Sequence, residues 1–224
     1  MVKTRKKIDQ ALITVKDLTW GYDGFPLFKK FNFSLYNNDF SVIMGPSGVG
    51  KSTLIKLMTR HIPLPSKTIY HKLEDLSKYS SAELQKFRKE LGIVFQKDYL
   101  ISTLSIKENI LYPLKIHGIS VDQAMQKYRE ILRYLDIKHL QEKKLSELSA
   151  GEIQKVFIAR ALIHSPEFIV IDDALANLDK KSQEQILDVL VKYHNDGHTL
   201  LLITHDERIV KYLEKKTEIS LTTM

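Results

Sequence analysis

The chain has 224 residues, 43% of them apolar, which suits one large α/β domain with a substantial core rather than two complete domains. The absence of cysteine excludes a disulfide framework and a thiolate metal site, and the absence of any apolar run near ~20 residues, at the basic start (residues 3–7) or elsewhere, predicts a soluble, cytoplasmic chain. A net charge of +7 suits polyphosphate ligands, anionic membranes or nucleic acid, but nothing else points to nucleic acid and no specific nucleic-acid partner is expected.

The first part of the chain predicts strands and then a helix. Phe31, Phe33 and Leu35 alternate with polar residues, and residues 40–44 form a compact apolar run that ends at a glycine. Both patterns are typical of strands. The apolar pattern becomes helical over residues 51–60.

The middle of the chain is mostly helical. Serine is followed three residues later by glutamate at Ser80 and Ser105, which is the spacing of a capping box at a helix start. Apolar residues from Val121 to Leu135 recur at steps of three and four, the stripe of an amphipathic helix that packs on a core. The later elements alternate: helix 151–163, strand 168–171, helix 182–193 and strand 200–204. We expect a single domain over residues 1–224, in which a helical subdomain at about residues 77–162 interrupts βαβ alternation.

A glycine-rich loop follows the strand at residues 40–44. Its residues are Gly45, Pro46, Ser47, Gly48, Val49, Gly50, Lys51, Ser52 and Thr53. They match the phosphate-loop pattern, and the predicted strand before them and helix after them are the context that the motif requires. Backbone N–H groups at the helix start can surround a polyphosphate, Lys51 can reach the β- and γ-phosphates, and Ser52 can ligate Mg²⁺.

A carboxylate ends the apolar strand that follows the helical region. Asp172 directly follows residues 168–171, and Asp173 comes next. Taken alone, an aspartate here would be an ordinary turn residue. Together with the phosphate loop, Asp172 is predicted to hold Mg²⁺ at the carboxyl end of a parallel strand.

Several further segments resemble the ATP-binding cassette (ABC) family. They are the signature-like run Leu148-Ser149-Ala150-Gly151-Glu152 with residues 159–162 after it, Gln96 after the apolar run 93–95, residues 176–179, His205 after residues 203–204, and Tyr22. With the two motifs above, they follow the family's order over about residues 12–210. In isolation, Tyr22 would close a hairpin or pack in the core, and Ser149 would be a simple helix cap.

The resemblance implies a fold, a ligand and a dimer. The fold is α/β: a P-loop ABC ATPase core, with a mixed sheet flanked by helices, an N-terminal antiparallel β-subdomain and an inserted α-helical subdomain. In the ATP state the family forms a head-to-tail homodimer, with two ATP molecules between the phosphate loop of one chain and the signature segment of the other. Ser149, Gly151 and Glu152 would therefore face the γ-phosphate held by the partner.

The roles of the remaining site residues also follow from the resemblance. Tyr22 would stack on adenine, and Ser52, Gln96 and Asp172 would organise Mg²⁺ directly or through water. His205 would contact the γ-phosphate. Asp173 stands where the family usually has a catalytic glutamate and would polarise the attacking water.

Four departures from the family pattern accompany these matches. Asp173 is one methylene shorter than the usual glutamate, which predicts slow hydrolysis with intact ATP binding, because a base must lie within ~2.6–3.2 Å of its water. Ala150 replaces a signature glycine, and residues 153–155 replace the usual Gln-Gln-Arg. Residues 63–71 lack the glycines that the family usually has before its next strands.

Residues 91–96, 104–110 and 112–114 resemble the branch that contains the bacterial cell-division ATPase FtsE and its relatives in lipoprotein release and macrolide export. The implied partner is an integral-membrane subunit, FtsX-like or another permease, which would hold the chain at the inner face of the cell membrane. The segment 97–114 would meet this partner. There Tyr99, Leu100, Ile101 and Leu104 either form a receiving groove or pack inside the helical subdomain.

Two hypotheses from different classes remain. The chain is either a motor whose dimer closure is reset by hydrolysis, or an ATP-dependent assembly module with little turnover because of Asp173. A soluble chromosome or ribosome ATPase is disfavoured, because the sequence has no long coiled-coil segment and no second cassette.

Overall fold

The computed structural model describes residues 11–22, 25–96, 100–176 and 178–224. These residues form two β-sheets and seven α-helices. Within the described parts of the chain, no helix is both long enough and apolar enough to cross a membrane.

The first sheet is antiparallel and has four strands. In spatial order they are β2 (Phe25–Tyr36), β1 (Ala11–Tyr22), β4 (Ile69–His71) and β5 (Glu74–Asp75). The strand predicted from the alternation at Phe33 and Leu35 is confirmed in β2. Both side chains are buried while Asn32 between the aromatic positions is exposed, because successive residues of a strand point to opposite faces.

The turns of this sheet use residues other than glycine in the left-handed region. Lys72 and Leu73 connect β4 to β5 with φ values of 47° and 73°, and Lys67 has a φ of 60°. Two-residue hairpin turns with positive φ favour glycine or asparagine, because a Cβ crowds the backbone there. Where the family usually has glycines, this chain therefore has residues under local backbone strain. One of them, Lys72, lies in the turn between β4 and β5.

The second sheet is parallel and forms the centre of the molecule. In spatial order its strands are β6 (Leu91–Val94), β7 (Phe168–Asp172), β8 (Thr199–Thr204), β3 (Phe40–Met44) and β9 (Ser220–Thr223). Ile171 and Leu202 pack into one apolar cluster, and Val170 and Ile203 pack into another on the opposite face. Burial on both faces explains why these strands are continuous apolar runs. The predicted α/β fold, with parallel and antiparallel pairing, is confirmed.

Six of the seven helices in the described residues begin close to their predicted starts, and the helix at Glu207–Glu214 was not predicted. They are α1 (Lys51–Met58), α2 (Ser81–Lys89), α3 (Ile106–Ile116), α4 (Val121–Tyr134), α5 (Ala150–Leu162), α6 (Lys180–Asn195) and α7 (Glu207–Glu214), and short 3₁₀ turns cover Leu76–Lys78, Lys138–Leu140 and Leu145–Glu147. The capping boxes at Ser80 and Ser105 are confirmed, since each serine and the glutamate three residues on satisfy one another's backbone N–H groups. In α4, Tyr128 and Leu132 are buried, but Val121 is 78% exposed because it occupies the first position of the helix.

The predicted helical insertion at about residues 77–162 contains four of these helices. It also contains β6, which pairs in parallel with β7 and so belongs to the central sheet. We therefore propose narrower bounds for the helical subdomain, from α3 to α5, within one domain.

Candidate active site

Four strands of the parallel sheet end at one edge, and each delivers candidate residues there. The phosphate loop follows β3, Gln96 lies two residues beyond β6, Asp172 ends β7, and His205 directly follows β8. Parallel strands bring their carboxyl ends together, so motifs that are far apart in sequence become neighbours.

The phosphate loop turns from β3 into α1 with two glycines at positive φ. Gly48 has a φ of 84° and Gly50 a φ of 110°. The φ of Gly50 is one that L side chains rarely adopt, and a Cβ there would lie 2.7 Å from the Leu27 Cδ2 atom of β2, so glycine is strongly favoured at this helix start. The loop and the first turn of α1 therefore present backbone N–H groups in the arrangement that binds anions.

Lys51 is held inside the loop. Its ammonium donates hydrogen bonds to the carbonyl oxygens of Gly45, at 2.8 Å, and Pro46, at 2.9 Å. The residue is only 6% exposed. Its positive charge therefore lies at the mouth of the loop. A bound polyphosphate would compete with the two carbonyl groups for the hydrogen bonds that the ammonium donates.

Asp172 is a buried carboxylate facing the start of α1. Burial, as the largest influence, raises its pKa, and a hydrogen bond from the Ser52 side chain opposes that shift. Among the described residues, its Oδ1 atom is buried without a hydrogen-bond partner. A carboxylate oxygen and a hydroxyl are the hard oxygen ligands that Mg²⁺ prefers, so these residues fit that ion.

Asp173, His205 and Gln96 form a connected group beside this pair. The His205 Nδ1 atom lies 2.9 Å and 2.8 Å from the two carboxylate oxygens of Asp173, and the Gln96 Nε2 atom lies 3.4 Å from Oδ2. Asp173 has a φ of 49°, and its N–H donates to the Ile203 carbonyl at 2.8 Å. This left-handed turn directs the carboxylate toward His205, so a carboxylate and an imidazole meet at the phosphate-loop edge.

One pocket joins these groups to Tyr22. It has a volume of about 330 Å³, and its lining includes Tyr22, Leu27, the phosphate loop, Gln96 and Asp173. Tyr22 is 50% exposed and its ring meets Trp20 edge to face, with centroids 4.5 Å apart. One face of the Tyr22 ring is therefore available for stacking on a planar ligand.

Leu27 is the pocket residue that sequence reasoning missed. It belongs to no motif, and its position depends on the pairing of Tyr22 with Phe25 across the β1–β2 hairpin. That register brings the start of β2 against Gly50. No sequence signal marks such a contact.

The signature residues do not line this pocket. Ser149 caps α5 and forms a capping box with Glu152. The Glu152 carboxylate lies 2.7 Å from the Lys143 ammonium, and this hydrogen bond is the largest of the influences that lower its pKa to about 2. Gly151 faces α6, where a Cβ would lie 2.7 Å from the Ser182 Oγ atom. Within one chain the structure assembles the phosphate-loop half of the site and leaves the signature half apart.

A second cavity, of about 420 Å³, lies between α2, α3 and α5, and Ile101, Tyr112 and Ile116 contribute to its lining. Tyr112 is 42% exposed and Ile116 is 52% exposed. Leu100 is partly buried against the core, and Tyr99 lies outside the described residues. Of the four residues of the predicted groove, Ile101 lines this cavity, and the groove itself stays a prediction.

Comparison with known proteins gives the family of the chain. The sequence model of the family described as "ABC transporter" matches residues 28–176. The lipoprotein-releasing system ATP-binding protein LolD of Geobacter metallireducens is 33% identical over 93% of this chain and 96% of its own length. The macrolide export ATP-binding/permease protein MacB of Campylobacter jejuni is 32% identical over 93% of this chain, which spans only 33% of that larger protein.

Solved structures agree with these sequence matches. CbiO1 of Clostridium perfringens, part of the transporter complex CbiONQ, superposes with a TM-score of 0.85 and 27% identity over 96% of this chain and 85% of its own. The cassette MJ0796, solved as a dimer in a post-hydrolysis state bound to ADP and Pi, superposes with a TM-score of 0.77 and 30% identity over 89% of this chain and 90% of its own. The chain therefore belongs to the ABC transporter family and is one of its ATP-binding, ATP-hydrolysing subunits.

Proposed function

We propose that the chain is the motor of a membrane complex and works as a head-to-tail homodimer that closes around two ATP molecules. The observation that carries this proposal is the separation of the two half-sites. Tyr22, the phosphate loop, Gln96 and Asp173 line one pocket, whereas Ser149, Gly151 and Glu152 begin a helix elsewhere. A second chain supplies the missing half.

Each residue of the pocket has a role in this proposal. Lys51 and the loop N–H groups bind the phosphates, Tyr22 stacks on adenine, and Ser52, Gln96 and Asp172 hold Mg²⁺. Bound there, Mg²⁺ would supply positive charge that offsets the phosphate charge and the burial penalty on the ionised form of Asp172. Ser149, Gly151 and Glu152 of the partner subunit complete the phosphate contacts.

The Asp173 carboxylate accepts a hydrogen bond from the attacking water. His205 holds that carboxylate in place, and the His205 ring also contacts the γ-phosphate. The Nδ1 atom of His205 lies within 2.9 Å of both Asp173 oxygens, so the carboxylate is anchored on the ring. A base that is one methylene short and anchored elsewhere approaches its water poorly, and a misplacement of about 1 Å costs on the order of 10²-fold in rate. Hydrolysis is therefore slow, while ATP binding is intact.

The same contact supports a second candidate function. If the anchored Asp173 does not reach the water at all, the dimer closes on ATP and stays closed. The chain then acts as an ATP-dependent assembly module with little turnover.

For the membrane partner we propose an FtsX-like subunit and a role in cell division, with the chain at the inner face of the cell membrane. The alternative is the ATPase of a lipoprotein-release or macrolide-export type of transporter, which the names of LolD and MacB favour. The cavity at Ile101, Tyr112 and Ile116 supports either partner, because it is a partly apolar recess between helices α2, α3 and α5. Affinity purification from native membranes identifies which type of subunit accompanies the chain.

Steady-state Mg²⁺-ATP hydrolysis by the purified chain across protein concentrations tests the motor. Turnover per subunit is expected to rise with concentration, because the site is completed by dimerisation, and to vanish in Lys51→Ala, which controls for contaminating ATPases. Turnover that does not depend on concentration would contradict the shared site. ATP-induced dimers without turnover, with and without the membrane subunit, would favour the assembly module.

A further inference from the structure

A second group of metal-ligating side chains lies away from the nucleotide pocket, where three segments meet. His71 ends β4, Glu90 follows α2, and Glu167 precedes β7. One ligand atom from each residue lies within 4.8 Å of one from each of the others. The Glu167 N–H also donates to the Glu90 carbonyl at 2.7 Å, so the two carboxylate-bearing segments are fixed against each other.

The ring of His71 is rigidly placed. Only 7% of its side chain is exposed, and its centroid lies 4.6 Å from the Phe87 ring. The Nδ1 atom is 2.9 Å from the Tyr79 hydroxyl oxygen. The Tyr79 hydroxyl in turn bonds to the Glu74 carboxylate, and burial together with that carboxylate raises the pKa of Tyr79 to about 12. The Nδ1 atom is thus engaged with Tyr79, and Nε2 is the ring nitrogen that faces Glu167.

The Nε2 atom of His71 faces the Oε2 atom of Glu167 at 3.3 Å, slightly longer than a typical hydrogen bond. Ligands at ~2.0–2.1 Å from a tetrahedral metal ion lie about 3.4 Å apart, which is close to the observed separation.

We propose that His71, Glu90 and Glu167 bind a divalent transition-metal cation of the Zn²⁺ type, which ties the antiparallel sheet to the central sheet. Histidine nitrogen and glutamate oxygen are accepted zinc ligands, and a histidine whose other nitrogen donates to a neighbouring group is the usual arrangement.

The charge around the three residues favours a cation. Glu74 and Glu83 line the adjoining cavity with Glu90, against the ammonium groups of Lys72 and Lys86. Lys72 lies 2.5 Å from the Oε1 atom of Glu167, which leaves Oε2 for the ion. The strained turn that carries Lys72 therefore orients one ligand of the site.

Zinc binding by the intact, EDTA-stripped chain without nucleotide tests the proposal. Calorimetric titration with ZnCl₂ and thermal unfolding with and without Zn²⁺ are compared for the wild type, Glu90→Gln and His71→Gln. His205→Gln is the matched control, because His205 is another histidine in contact with a carboxylate. Glu90→Gln carries the test if the tightly packed His71→Gln does not fold.

The wild type and His205→Gln are expected to bind one Zn²⁺ per chain and to unfold at a higher temperature with the ion. Glu90→Gln and a folded His71→Gln are expected to bind at least tenfold more weakly and to lose the thermal shift. Zinc binding that is absent from the wild type, unchanged in Glu90→Gln or abolished in His205→Gln would overturn the proposal. The first of these results would leave His71 and Glu167 joined by a simple hydrogen bond.

Discussion

Lengthening the carboxylate at position 173 is expected to accelerate hydrolysis. Asp173→Glu adds one methylene, which extends the reach of the carboxylate by at most about 1.5 Å, the length of one carbon–carbon bond. Since a displacement of about 1 Å costs on the order of 10²-fold in rate, kcat is expected to rise roughly 10- to 100-fold. Asp173 lines a pocket of about 330 Å³ and the His205 side chain is 40% exposed, so the longer side chain has room.

The same substitution has a cost that appears in a different measurement. Position 173 has a φ of 49°, a conformation that aspartate tolerates better than glutamate. A penalty of about 1 kcal/mol in the free energy of unfolding is expected. It lowers the Tm slightly but does not enter kcat for the folded enzyme. KM for ATP is expected to stay unchanged, because Lys51 and the loop bind the phosphates in ground and transition states alike.

The assay is steady-state Mg²⁺-ATP turnover at saturating ATP and at a protein concentration where the wild-type rate per subunit no longer rises. Asp173→Asn is the matched control, because it keeps the length and removes the charge; its turnover is expected to fall below that of the wild type. An unchanged or lower kcat in Asp173→Glu, with ATP binding intact, would refute the argument from reach. Wild-type turnover in Asp173→Asn would show that Asp173 does not act on the water.

Three further substitutions test other parts of the structure. Burial raises the pKa of Asp172, so its ionised form destabilises the fold at every pH above that raised pKa. Asp172→Asn is therefore expected to raise the Tm at pH 7 and to abolish Mg²⁺-dependent turnover. A lower Tm in this variant would contradict the prediction. Ile116→Glu places a charge in the cavity between α2, α3 and α5 and is expected to weaken co-purification of the membrane subunit with unchanged ATP binding, whereas undiminished co-purification would count against this surface. Gly151→Ala puts a Cβ 2.7 Å from the Ser182 Oγ atom and is expected to destabilise the fold by about 1–3 kcal/mol in chemical unfolding, with partial recovery on adding Ser182→Gly.

Local patterns predicted most of the secondary structure because their causes are local. The capping boxes at Ser80 and Ser105 satisfy backbone N–H groups within four residues, and the phosphate loop requires its glycines wherever it occurs. The family resemblance then predicted that the separate motifs form one site. They meet at one edge because the strands that carry them are parallel. By contrast, the place of β6 in the central sheet depends on its pairing with β7, which no pattern within residues 91–94 reveals.

The sequence by itself determined the family, the fold class and the residue types of the nucleotide site, because each is encoded in short motifs with a strict chemical requirement. Only the tertiary structure decided the contacts between distant segments. It anchored Asp173 on His205, set Leu27 against Gly50, turned Gly151 toward α6, and brought His71 to Glu90 and Glu167. The physical reason is that these contacts follow from strand register and helix packing, which depend on the whole core and not on any one segment of the chain.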